Sequence, residues 1–247
     1  CISKYFVEYL LEAAEYNPSV IPASSLIRFS QDHEFQTTEK ETQKKISSIK
    51  PTKMPAANAV FLAPNEKFFR SCLYNKLYHR SLLSNSDGEL RFAESIYYGE
   101  DQLFFYSTLV NSSFLAYTEW PLYFYRNNPM SAMNQSWNPR WNTVLDAYRQ
   151  IWKLVQPYDN GRNFPPYIAY QDTCISLFLR NAKVGTLPAD IRKEMQNIVS
   201  QRFADYLLSP DVSIKRKIYV LGFLTVPDFT AKYNRFLHML KKKKEYK

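Results

Sequence analysis

Two adjacent carboxylates, Glu100 and Asp101, stand in the stretch YYGEDQLFFYSTLV, immediately before the apolar residues Leu103, Phe104 and Phe105. A carboxylate beside an apolar wall is costly unless something stabilises its charge. Acids on the first turn of a helix obtain that support from free amides and the positive end of the macrodipole, and Gly99 is placed to end an extended segment just before them. Either these acids only start a helix, or they are held ready for chemistry.

Other chemistries find little footing. Cys1, Cys72 and Cys174 are far apart and show no Cys-x-x-Cys or Cys/His ligand spacing, so nothing points to a disulfide framework or structural zinc. A reducing cytoplasm fits that usage. His33, His79 and His238 are scattered too, which leaves no legible triad. With glycine only at 88, 99, 161, 185 and 222, neither G-x-G-x-x-G nor a Walker loop can be written. No apolar run approaches the roughly 18 residues that cross a bilayer, and CISKYFVEYLL is not a signal peptide by pattern.

Charge is unevenly distributed. Residues 213–247 hold ten Lys and Arg against Asp228 and Glu245, so they carry +8 of the total +9 and leave the first 212 residues nearly neutral. That argues against a nucleic-acid-binding face spread over the body of the protein. Aromatic residues make up 16% of the chain, which suits a core of large rings or a surface for flat ligands such as sugars.

The elements that must position the acids can be read from periodicity and punctuation. SKYFVEYLLEAAEY places Phe6, Tyr9, Leu10, Ala13 and Ala14 at helical spacing, with Ser3 as cap. VIPASSLIRF predicts a strand interrupted by Pro22, followed by a polar loop from Ser30 to Lys50. Residues 73–78 read as extended and SNSDGEL as a turn; a helix is expected from Asp101 to Val110. FLAYTE and PLYFYR then read as two short strands separated by Trp120. From Asn138 and Pro139, a cap and first helical position, about four or five helices follow to Lys244.

Several of these pieces occur together in a fixed order: SCLYNKLYHRSLL, LRF, YYGEDQLFF and PLYFYRNNPMS. Residues 3–136 resemble the acceptor half of bacterial family 2 glycosyltransferases, in which a W-N-K-L-Y-R-R-x-L-L segment precedes an E-D-x-x-F helix start and a closing P-L-Y-x-Y-R-x-x-x-x-S. The resemblance implies an α/β fold. Residues 1–137 would be the acceptor-side half of a GT-A-like catalytic domain, and 138–247 a helical C-terminal domain. It implies an inverting transfer from a nucleotide-sugar donor to a saccharide or lipid-linked saccharide, in the synthesis of cell-surface polysaccharide such as capsule or lipopolysaccharide. Asp101 then matches the general base, and Glu100 a residue that positions the acceptor or a donor phosphate. Arg126 and Ser131 match positions facing the donor diphosphate, and Asn75 and Lys76 the segment lining the acceptor side. Tyr74 stands where the family often has Trp, which keeps a flat face. Without the resemblance, Arg126 reads equally well as a strand-end arginine in a surface ion pair.

The family's nucleotide-binding half and its Asp-x-Asp metal motif have no counterpart in these residues. A divalent metal, Mg or Mn, is expected for the complete enzyme with ligands outside this chain, and the 247-residue chain alone is expected to be inactive. The alternative is a non-catalytic scaffold or remnant of the same ancestry. Near the C-terminus, PDFTAKYNRFLHMLKKKK places Phe229, Tyr233, Phe236, Leu237 and Leu240 on one helical face, with a lysine cluster beyond. Such a helix either adsorbs to an anionic membrane surface, giving a cytoplasmic protein peripheral on the inner face, or packs inward with a solvated lysine end.

Overall fold

A computed structural model of the chain describes residues 1–29, 39–41, 44, 50–64, 69, 71–85, 88–127, 138–182 and 187–245, with side chains of the last helix up to residue 237. Most of the polar stretch from Ser30 to Lys50, and Ser131, lie outside the described residues.

Helix α1 (Phe6–Ala13) buries Phe6, Tyr9, Leu10 and Ala13 on one face. That stripe packs on Val20, Ala116 and Leu122 of the sheet. Ser3 is not the cap that its sequence position predicts: its Oγ accepts from the Tyr5 amide, and the helix itself starts after Tyr5, two residues later, without a side-chain cap.

The sheet is mixed, with order β1 (Val20–Phe29), β5 (Phe114–Arg126), β2 (Thr52–Pro55); β1 runs parallel and β2 antiparallel to β5. Between β2 and β5 in the chain lie helix α2 (Ala56–Leu62), the two-residue strands β3 (Ser84–Asn85) and β4 (Gly88–Glu89), and helix α3 (Glu100–Asn111). Cys1 and Ser3 extend the β2 side of β5 through hydrogen bonds with Phe124 and Leu122. Residues 75–77 bond along the other edge, where the Ser24 amide donates to Asn75 O and the Leu77 amide to Pro22 O.

Two sequence expectations are corrected here. Pro22 does not interrupt β1: its backbone faces the edge bonded by residues 75–77, so its missing N–H is not required by the β5 ladder. FLAYTE and PLYFYR are one strand, β5, with an irregular register beside Trp120: Ser24 pairs with Thr118 and Ser25 with Pro121. The extra residues are absorbed as a bulge, and the strand continues.

After Asn138, whose Oδ1 accepts from the Arg140 amide at 2.8 Å, a 3₁₀ turn (Pro139–Thr143) leads into six α-helices among the described residues, where four or five are expected. They are α4 (Val144–Val155), α5 (Pro165–Asn181), α6 (Ala189–Gln201), α7 (Phe203–Leu208), α8 (Ile214–Thr225) and α9 (Pro227–Glu245). One hydrophobic cluster joins Ile21 and Leu115 of the sheet, Val60 and Phe105 of α2 and α3, and Ile151, Leu177 and Phe223 of the helical segment. The two segments on either side of residues 137 and 138 therefore share a core.

Their tightest junction is the start of α3. Gly99 has φ +87°, and a Cβ added there would lie 2.9 Å from Ala147 Cβ. Thr143 Oγ1 accepts from the amides of Tyr97 at 2.9 Å and Tyr98 at 3.3 Å. The Tyr98 ring stacks on Trp141 with centroids 3.8 Å apart, and the Arg180 guanidinium lies 4.0 Å from that indole. Gly99→Ala is expected to destabilise the fold by about 1–3 kcal/mol through left-handed strain alone. Ala147→Gly in the same chain should recover only the steric part, which urea denaturation of the single and double variants would resolve.

Candidate functional site

Successive residues leave a helix about 100° apart. Asp101 lines a cavity of about 1050 Å³. Glu100 lines a different one of about 460 Å³, with Arg91, Phe104, Gln150 and Lys153. The adjacent acids thus line two different cavities.

The larger cavity lies between the sheet-bearing segment and the helices. Asp101, Gln102 and Tyr106 of α3 form one side, with Phe61 to Pro64 at the end of α2 and with Ser71, Cys72 and Tyr74. Facing them are Tyr148 of α4, Asp172 and Thr173 of α5, the Pro210–Ser213 connection and Arg216 of α8. Tyr74 packs against β5, its ring tilted by 34° to that of Tyr123 at 4.7 Å and by 41° to that of Tyr125 at 5.4 Å.

Asp101 is half-buried, and its Oδ1 accepts from the Gln102 amide at 2.8 Å. Burial raises its carboxyl above the ordinary aspartate value, and the Gln102 amide, its own amide and Lys76 offset part of that rise. The helix start therefore moderates the cost of burial and does not cancel it. A carboxylate raised in this way is a stronger base than a solvated one.

Asn75 and Lys76 serve the cavity from behind. Lys76 is buried, and its Nζ donates to Phe69 O at 2.7 Å, Cys72 O at 2.6 Å and Asn75 Oδ1 at 2.7 Å. It also lies 4.8 Å from the centre of the Phe105 ring. Asn75 Nδ2 donates to Ser24 O and Phe69 O. The expected segment does line the cavity, but through Ser71, Cys72 and Tyr74, while Asn75 and Lys76 tie that turn to β1. Burial pushes the Lys76 ammonium down to about 7, with Cys72 and Asp101 acting to raise it. Arg126 is exposed at the end of β5, opposite Phe29, and does not line the Asp101 cavity.

Sequence reasoning passed over the helical wall. Asp172 Oδ1 accepts from the Tyr206 hydroxyl at 2.7 Å and lies 3.5 Å from Arg216 Nε. Arg216 Nη2 donates to Ser176 Oγ at 2.8 Å. The Tyr148 phenol is raised by burial, with Asp172 and Asp101 both adding to the effect, so it lies in the field of the carboxylates on either side. The signal that could have found Asp172 is a charge inside the otherwise apolar pattern of α5, YIAYQDTCISLFL. Among the described residues no group of three or more His, Cys, Asp or Glu is placed to hold a metal ion. The carboxylates of this cavity are hydrogen-bond acceptors set among tyrosine rings, and Asp101, raised by burial, is able to accept a proton.

Two outcomes follow from the electrostatics. The folded Asp101 carboxyl holds its proton more tightly than the unfolded one, so its contribution to stability is present at low pH and is lost as pH rises through its raised pKa. Asp101→Asn should therefore have a higher thermal midpoint than the parent chain at neutral pH, and the gain should shrink as pH falls through the raised pKa and be gone below 3.8, the ordinary aspartate value. Lys76→Met leaves buried carbonyls without a donor and should cost about 1–3 kcal/mol in chemical denaturation.

No family model matches the chain, and no curated protein matches it at a significant level.

Proposed function

We propose that this chain is the acceptor-side part of an inverting, GT-A-like glycosyltransferase, and that the larger cavity receives the saccharide whose hydroxyl is the nucleophile. The observation that carries this reading is the place of Asp101, a half-buried carboxylate on the side of a cavity of about 1050 Å³ that also presents Tyr74, Tyr106, Tyr148 and Asp172.

The hydroxyl oxygen bonds to the anomeric carbon while the bond from that carbon to the donor phosphate breaks. The proton passes to Asp101, and the nucleoside diphosphate leaves with the bonding pair. A raised carboxylate contributes about 10²–10⁴-fold to such a step. Glu100, in the smaller cavity, takes no part in that proton transfer. The resemblance assigns Arg126 and Ser131 to the donor diphosphate, where a guanidinium would neutralise the leaving group. Donor binding and its divalent metal belong to a nucleotide-binding half outside these residues.

The test separates binding from turnover. Isothermal titration with a panel of bacterial surface oligosaccharides should show binding to the 247-residue chain, weakened by Asp172→Asn and Tyr148→Ala. No nucleotide sugar should be turned over by the chain alone. Absence of saccharide binding would sink the acceptor-site reading, and robust metal-dependent transfer by the isolated chain would overturn the assignment of donor chemistry to another part.

A further inference from the structure

The hairpin of α8 and α9 presents a second feature that sugar transfer does not use. Along α8, Ile214 and Ile218 are 78% and 63% exposed, and Leu221 continues the row. Along α9, Phe229 and Phe236 are 69% and 52% exposed, with Tyr233 between them. Both rows follow i, i+4, i+7 spacing, so each is a single stripe on its helix.

The two stripes look the same way. On α8 the opposite face, Tyr219, Val220 and Phe223, is buried. On α9 the inner side bonds to α5, where Asn234 Nδ2 donates to Leu179 O and Arg235 Nε to Ala182 O. Each exposed row therefore lies on the side of the hairpin turned away from α5. The helices are held close, since a Cβ added to Gly222 would lie 2.3 Å from Thr230 Oγ1, and the Tyr219 hydroxyl meets Asn234 Oδ1 at 3.3 Å. The Phe229 and Tyr233 rings are nearly parallel, at 7°. This is one built apolar surface rather than scattered exposed residues.

We propose that this outer face is a docking surface for an anionic lipid bilayer. The sequence around it, residues 213–247, carries +8. A second copy of the chain would bring that charge against itself. A nucleic acid would satisfy the lysines and leave Ile214, Ile218 and Leu221 without an apolar partner. A bilayer with acidic headgroups satisfies both, taking the apolar side chains at the headgroup boundary and the lysines at the phosphates. No helix among the described residues is long and apolar enough to cross the membrane, so the contact is adsorption in the plane of the surface. The inference stands apart from the sugar-transfer reading, and its test does not use transfer.

Sedimentation with phosphatidylglycerol-containing vesicles should retain the chain, and vesicles of phosphatidylcholine alone should not. Ile218→Ser with Phe229→Ser should lower partitioning by about tenfold or more, since both changes remove apolar area from an exposed face. High salt should weaken binding. Phe229→Trp gives a readout independent of the serine variants: its emission should shift to the blue with anionic vesicles only. Failure to bind anionic vesicles, binding unchanged by the paired serines in a folded protein, or an unshifted tryptophan would overturn the proposal. So would tighter binding to a short DNA duplex than to the vesicles, with no effect of the serines.

Discussion

The direction of Asp101 is set by one local constraint, the backbone at Gly99. A left-handed residue there turns the chain into α3 within touching distance of Ala147, while Thr143 accepts both preceding amides. These contacts come from the start of the helical segment, so the acid on α3 is aimed by α4 as much as by the sheet beneath it. Any other residue at position 99 must distort either the turn or the packing of α3 on α4. That junction packs α3, which brings Asp101 to one side of the cavity, against α4, which brings Tyr148 to the other.

Charge burial is the second constraint. Lys76 and Asp101 are both pushed toward neutrality by burial, and each pulls the other back toward its charged form. Phe69 O, Cys72 O and Asn75 Oδ1 all accept from the Lys76 ammonium, and two of them are backbone carbonyls, so an apolar replacement cannot do the same work. A structural ammonium thereby becomes the electrostatic neighbour of a candidate base. Perturbed groups gathered at one cavity are a recurring mark of functional sites, and here they coincide with its aromatic lining.

Helix α8 links the two proposals. Arg216 faces the Asp101 cavity, bonded to Ser176 beside Asp172, whereas Ile214 and Ile218 project to the outer face. A bilayer seated on that face would lie one helix away from the cavity wall.

Much of the local structure was legible in the residues. The apolar spacing of α1, the helix start at Gly99, the Asn138–Pro139 cap and the single aromatic face of Phe229, Tyr233 and Phe236 all follow from interactions within one or two turns of chain. Other features depend on partners far away in sequence. Pro22 fits β1 because of which edge its nitrogen faces, and Trp120 is spanned by one strand because β1 supplies a ladder on both sides of it. Asn75 is claimed by Ser24, and Asp172 meets the Asp101 cavity across the junction with the helices. The sequence by itself determined where helices begin, which faces are apolar and where charge gathers, because those depend on a residue's own backbone and its near neighbours. Only the tertiary structure decided that Glu100 and Asp101 serve different cavities, that Lys76 is buried and that the α9 aromatics stay outside, because burial and electric field are set by what other segments bring alongside.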